Sequence, residues 1–492
     1  MFHLYFIKVY CLFLLVIVPV VLHAAPHEQN REGQRKQNIL FIGVDDLNDW
    51  CKGFDGHPDA ITPNIDKLLE SGVVFKNAQC AAPICNPSRT ALFTGLRPSS
   101  TGVYGNSQPF RFNEKSKDAV TIPQYLQKHG YYTCGSGKMY HGAFPDPFGW
   151  DEYFPSLLKH VPSERKPEDR PLCGIEDIGN VDWGPIDLTN EEMRDYKTVD
   201  YCISQINKNH DEPSFIACGI KLPHLPWYAP KKYFDMYDPE KITMPLLKED
   251  DLDDVPKAGQ KMIHKELFEK IRASGKWNEG VVAYLACVTF IDEQIGRLLA
   301  ALEKSGKADN TIIVFWGDHG WHLGEKMHWK KNTLWAEAAQ SPLFISVPGL
   351  TPKNVVCERP VNLLDLYPTI IDLCGLPKKK GLEGVSIVEL LKDPKMEWDR
   401  PSLCTRKRGN HALLDERWRY IHYADGTEEL YDHQNDPNEW TNLAADTNYK
   451  EIKNRFKKWL PTTDAENAPE IDKKNYQKGI KILSAEKGLV IE

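Results

Sequence analysis

Four apolar runs in this chain each give way to charged or imidazole residues, and that recurrence constrains the fold more than any other feature. Residues 38–44 form a continuous apolar run that ends in Asp45-Asp46. Residues 131–134 lead to Lys138 and His141, residues 214–218 to His224, and residues 311–316 to Asp318-His319. Unbroken apolar runs of this kind suit parallel strands buried on both faces. Shorter strands are predicted at 73–75 and 343–347. Helical patterns stand between them. Thr62-Pro63 opens one that Gly72 closes. Others cover residues 87–93, 121–129, 191–209 and 363–373. The longest, 279–304, carries Leu285, Val288, Ile295, Leu298, Leu299 and Leu302 on one stripe. This alternation predicts an α/β fold with a mostly parallel central sheet flanked by helices. In open sheets of this type the ligand crevice lies beyond the carboxyl ends of the strands, where all four polar groups fall.

The ends of the chain differ in character. Lys8 precedes an apolar run from Cys11 to Leu22 and then His23-Ala24-Ala25, the pattern of a secretory signal over residues 1–25, cut after Ala24 or Ala25. The run is shorter than the ~20 residues of a spanning helix, so no membrane span is expected once the signal is removed. Residues 26–37 read as a polar linker and residues 38–385 as the α/β domain. In residues 386–492, Arg419 to Tyr431 reads as a hairpin turning at Asp425-Gly426. A small antiparallel α+β subdomain, closed by a helix at 451–460, is expected there. Net charge is −8, which leaves no basic footprint for nucleic acid. Export permits disulfides among the cysteines, but spacing does not give their pairing. Cys134, Cys218 and Cys287 sit in apolar patterns that suit buried free thiols.

Asp45, Asp46 and Asp318 would repel one another if they converged without a cation, and oxygen ligands suit Ca²⁺ or Mg²⁺. Taken alone, Asp45-Asp46 reads as a helix or turn cap; Asp318-His319 in the same position on another strand favours the metal reading. Cys85-Asn-Pro-Ser-Arg89 offers a small nucleophile-type residue, a Pro able to open a helix, and an Arg one turn on. The bland alternative is a buried Cys before an ordinary helix. His141 and His224 are by themselves surface or capping histidines, and Lys331 sits in a Lys pair that reads equally as solvated, with Lys330 the member to discount. Trp227, Trp329, His322 and His328 could line a pocket, but singly they read as scaffold.

Cys85-x-Pro-Ser-Arg89, followed by Thr94-Gly-x-Arg97, resembles the signature of the sulfatase family. Gly43-Val-Asp-Asp-Leu47, Gly137-Lys-Met-Tyr-His141, Leu222-Pro-His-Leu-Pro-Trp227 and Gly317-Asp-His-Gly-Trp321 with Lys331 are similar to its other motifs, in order. Three features resemble the iduronate-2-sulfatase branch: the Lys138-to-His141 gap, His319 after Asp318, and Gly320-Trp-x-Leu-Gly-Glu325. Asn86 and Leu222 depart from the family pattern. The resemblance implies an alkaline phosphatase-like fold and an exported sulfuric ester hydrolase, periplasmic or secreted, or lysosomal in an animal source. It implies one Ca²⁺ per chain held by Asp45, Asp46, residue 85, Asp318 and His319. It also implies oxidation of Cys85 to formylglycine by a maturation enzyme. In the implied roles, residue 85 attacks sulfur, Arg89, Lys138 and Lys331 spread negative charge, His224 protonates the leaving oxygen, and His141 takes a proton from residue 85. The implied substrate is a sulfated saccharide, with iduronate-2-sulfate glycans as the lead. Two alternatives are a phosphodiesterase or phosphonate monoester hydrolase on the same site, and an exported glycan-binding protein without catalysis.

Overall fold

The computed structural model describes Met1 and residues 36–489. The signal-peptide reading of residues 1–25 and nearly all of the 26–37 linker lie outside the described residues.

Eight strands form the central sheet: β1 (Asn38–Val44), β2 (Val73–Phe75), β3 (Tyr132–Gly137), β4 (Glu152–Phe154), β5 (Ser214–Ile220), β6 (Thr311–Gly317), β7 (Leu343–Ser346) and β8 (Val355–Cys357). Their spatial order is β8-β2-β7-β6-β1-β5-β3-β4. β1 lies in the interior, parallel to β5 and β6, with Phe41 level with Ala217 and Val314. Within this sheet β7 alone runs antiparallel, to both β2 and β6. The reason lies in the connection before it. A parallel return needs a crossover to the other end of the sheet, usually a helix. Residues 318–342 instead stay at the carboxyl end, where His322–Leu323 pairs with Trp329–Lys330 in a short hairpin. The Gly317 amide then bonds the Pro342 carbonyl at 2.9 Å, so the chain re-enters the sheet from the end it left.

Alternate residues of β1 feed two apolar layers, as the pleat demands. Leu40, Ile42 and Val44 pack with helices α2 (Arg194–Asn207) and α3 (Trp277–Lys304). Ile39 and Phe41 pack with helix α1 (Cys85–Thr94) and the helix Leu366–Leu373 on the other face. A Cβ on Gly43 would lie 2.5 Å from the Trp316 ring, so the strand admits no side chain there.

The C-terminal region forms a four-stranded antiparallel sheet, β9 (Ser402–Thr405), β10 (His411–Leu414), β11 (Trp418–His422) and β12 (Glu428–Asp432). The expected Asp425-Gly426 turn joins the last two. Helix Lys450–Lys457 packs Phe456 on Leu403, Trp418 and Tyr420. A further helix, Lys473–Glu486, is absent from the sequence reading. It buries Tyr476 and Ile480 against Phe144, Phe148 and Leu158, and so few apolar positions in a lysine-rich stretch give a weak periodic signal. All cysteines of residues 36–489 are free thiols, and Cys134, Cys218 and Cys287 are buried as expected. Among the described residues no helix is long and apolar enough to cross a membrane.

Candidate active site

The carboxyl ends of β1, β3, β5 and β6 deliver the polar groups to one place. The Asp45 amide bonds the Ile220 carbonyl at 3.1 Å and the Asp318 amide bonds that of Val44 at 3.2 Å, so the sheet ladder itself positions both carboxylates. Asp46 adopts φ 60°, a left-handed conformation that Asp tolerates better than most residues. This turn sends the two adjacent carboxylates to different partners. Helix α1 begins at Cys85, is buried along its whole length, and ends at Gly95 in the left-handed region (φ 73°), a common helix stop. The Ser88 hydroxyl donates to the Asp318 carbonyl at 2.5 Å, pinning the helix start to the end of β6.

Cys85 Sγ lies 3.1 Å from Lys331 Nζ and 3.4 Å from His319 Nε2. Arg89 Nε donates to Asp318 Oδ2 at 2.8 Å, and its Nη2 to Asp45 Oδ1 at 3.2 Å. Nη1 donates to the Met139 carbonyl at 3.1 Å. Lys138 Nζ pairs closely with Asp45, and Lys331 Nζ with Asp46 Oδ1 at 2.5 Å. The Asp46 amide donates to Asp318 Oδ1 at 3.0 Å. His224 Nδ1 donates to the Leu225 carbonyl at 2.7 Å, which leaves Nε2 facing Asp46 Oδ2 at 4.0 Å. His141 makes no hydrogen bond through its buried Nδ1. It belongs to the group through the charges of Lys138, Asp45, Lys331 and Arg89. The structure thus brings the ten residues expected from sequence into one cluster. Asp45, Asp318 and His319 are fully buried in it. Lys138, Lys331 and His224 are 11%, 12% and 26% exposed on its outer side.

Burial opposes ionisation of Asp45, but Lys138, with Arg89 and Lys331, outweighs it and holds this carboxyl well below the usual range. Burial pushes Asp46 up, with Asp45 and Asp318 adding to the effect against Lys331. Burial lowers His141 to about 3 and His224 well below the ordinary imidazole value, with Lys138 contributing to both. Burial also raises the Cys85 thiol to about 12, so the unmodified thiol is protonated at neutral pH. Three buried carboxylates face three cations, and Asp46 Oδ2 has no hydrogen-bond partner. Ligand atoms of Asp46, Cys85, Asp318 and His319 lie within 4.8 Å of one another, and so do those of Asp45, Asp46 and His224. An oxygen-rich donor set with an orphaned carboxylate oxygen fits a hard divalent cation.

The two departures from the family pattern have structural roles. Asn86 Nδ2 donates to the carbonyls of Gly105 and Gln108 at 2.9 and 2.8 Å, tying a loop to the start of α1. Leu222 is buried, while Lys221 Nζ reaches the carbonyls of His224 and Leu225 at 3.5 and 3.3 Å and braces the His224 loop. Trp227, Trp329, His322 and His328 are fully buried, as their scaffold reading has it. Lys330, the discounted member of the pair, points away from Cys85. It is half-buried, and its Nζ donates to Asn180 Oδ1 at 2.8 Å.

The family profile described as "Sulfatase" matches residues 37–376, and one described as "N-sulphoglucosamine sulphohydrolase, C-terminal" matches residues 324–466. The chain belongs to the sulfatase family. It is 39% identical over 444 residues to a sulfatase of Formosa agariphila, covering 87% of each chain. It is 30% identical over 398 residues to iduronate 2-sulfatase of Mus musculus, covering 69% of each. Its fold matches the phosphonate monoester hydrolase of Silicibacter pomeroyi with a TM-score of 0.70 at 22% identity, covering 86% of this chain and 94% of that one. As a sulfatase the chain is a sulfuric ester hydrolase. The family carries a metal ion and a Cys-derived formylglycine in general, and Asp46, Cys85, Asp318 and His319 here form a cluster able to hold a metal ion.

Proposed function

We propose that this sulfatase is exported and removes sulfate from a sulfated saccharide, with iduronate-2-sulfate glycans as the lead substrate. The observation that carries the reading is Cys85 at the first turn of α1, in contact with Lys331 and His319 above three carboxylates. The branch motifs and the iduronate 2-sulfatase relative support the choice of sugar. Oxidised to formylglycine, residue 85 would supply a hydrated aldehyde, with one hydroxyl to attack sulfur and a second through which sulfate leaves without water attacking it. A Ca²⁺ held by Asp45, Asp46, Asp318, His319 and residue 85 would polarise the ester.

The chain's own residues do the rest. Arg89 locks Asp45 and Asp318 in place and, with Lys138 and Lys331, offsets negative charge as it builds. Burial, with the charge of Lys138, favours the neutral form of His224. An arriving sulfate anion favours the imidazolium, and its Nε2, aimed by the Leu225 carbonyl, then gives its proton to the leaving alcohol oxygen. His141, kept neutral by burial, is in the correct state to accept a proton from residue 85. The test is ion-chromatographic sulfate release from an iduronate-2-sulfate disaccharide and other defined sulfated saccharides, using protein whose residue-85 aldehyde is verified by mass. Release is expected, and Cys85→Ala should abolish it. Verified aldehyde protein that cleaves phosphodiesters and no sulfate ester would overturn the reading.

A further inference from the structure

Cys80 stands just ahead of Cys85, in the segment that leads into α1. Cys404 stands on β9 in the C-terminal sheet, 324 positions further on. Their Sγ atoms are 3.8 Å apart, in van der Waals contact, and both side chains are fully buried. Two ties hold them there. The Thr405 amide bonds the Ala81 carbonyl at 2.9 Å, so the residues next to both cysteines are paired as in a strand ladder. Asn362 Nδ2 donates to the carbonyls of Cys80 and Leu403 at 3.4 and 3.0 Å, bridging the same two segments from the side. Neighbours in a ladder hold their Cα atoms about 4.5–5.5 Å apart, within the ~4.4–6.8 Å that a disulfide spans.

We propose that Cys80 and Cys404 are oxidised to a disulfide in the exported protein, a covalent staple between the approach to α1 and the C-terminal sheet. This rests on the export reading, since only an oxidising compartment sustains such a bond. The oxidant is the disulfide of a thiol–disulfide oxidoreductase in that compartment. One cysteine attacks it to give a mixed disulfide, and the other then displaces the carrier's sulfur. Two electrons and two protons pass to the carrier, which leaves as a dithiol. Burial pushes the Cys80 thiol up, and the thiolate is the form that exchanges. The bond therefore forms before the C-terminal sheet closes over the pair, and the folded chain then shields it from reductants. A cross-link acts chiefly by restricting the unfolded chain, the more so for a long loop. This one also fastens a junction beside the site. The Cys80 amide bonds the Ala339 carbonyl at 2.9 Å, and the Asn332 amide bonds the Pro83 carbonyl at 3.1 Å. The approach to Cys85, the residue after Lys331 and the C-terminal sheet all meet there.

The test compares two preparations of the chain in a bacterial host, one behind its own residues 1–25 and one with those residues replaced by an established periplasmic leader. Folded protein of each is purified without reductant, denatured with iodoacetamide present, digested and analysed by peptide mass. The peptides holding Cys80 and Cys404 should be joined until a reductant separates them. Reductant present throughout heating should lower the parent's Tm by roughly 5 °C. Cys80→Ala and Cys404→Ala should each start from the lower Tm and show no such response. Thiols that merely pack together would lose stability on substitution, yet the parent would not respond to reductant. Cys80 and Cys404 both alkylated in folded protein from the periplasmic leader overturn the staple, whichever other cysteines are linked. A bond in that preparation, with an uncleaved leader and alkylated thiols in the other, leaves the staple standing and removes the export reading.

Discussion

At the scale of single residues, Arg89 does the most. Its guanidinium is buried, bridges Asp45 and Asp318, and lies over the Trp316 ring at 5.2 Å. Removing one member of a buried ionic cluster leaves uncompensated charge. Arg89→Met should therefore cost about 3–5 kcal/mol in urea unfolding, as well as most of the activity. The loss should shrink when Asp45→Asn is added, because the remaining carboxylates then repel less. Simple additivity of the two substitutions would show that the bridge is not what the geometry implies. The Cys85→Ala control belongs to this scale too. Alanine keeps the start of α1 and removes a single buried sulfur, so the variant should fold as the parent does and lose only chemistry.

At the scale of elements, the segment between β6 and β7 is the one to probe. His322 sits in its hairpin, fully buried, with Nε2 on Thr333 Oγ1 at 2.7 Å and Nδ1 on the Glu325 carbonyl at 3.1 Å. Burial lowers its pKa to about 3, against about 6.5 unfolded. The folded value is depressed, so the unfolded chain binds the extra proton and stability is lost as pH falls from about 6.5 toward 3. At pH 5 this single histidine should cost about 2 kcal/mol relative to pH 7. His322→Asn removes the titration, so its unfolding midpoint should drop less between pH 7 and pH 5 than the parent's. Parallel drops would place the acid sensitivity elsewhere. This segment also marks where sequence stops being informative. The apolar runs of β1, β5 and β6 announced buried strands, and the polar groups after them announced the site. The direction of β7 was not legible, because a four-residue apolar strand reads alike in either orientation and the hairpin before it has no regular period.

At the scale of the whole molecule, the acidic cluster joins pieces that are remote in sequence: the end of β1, the start of α1, and the end of β6 with its hairpin. A cation bound there stabilises the folded chain and not the unfolded one, where those ligands are scattered. Occupancy at 100 times the dissociation constant contributes about 2.7 kcal/mol. Stripping divalent ions with a chelator should therefore lower Tm by a few degrees and abolish sulfate release. Ca²⁺ should restore both better than Mg²⁺, since a crevice assembled from several chain segments suits the larger ion's flexible, high coordination number more than a strict octahedron. Asp46→Asn tests the locus. It removes charge from the residue with the unpartnered oxygen, so its Tm should respond far less to Ca²⁺ than the parent's. If that variant keeps the full Ca²⁺-induced shift, the ion that stabilises the molecule sits somewhere other than beside residue 85, and the carboxylates there serve only to orient Arg89, Lys138 and Lys331.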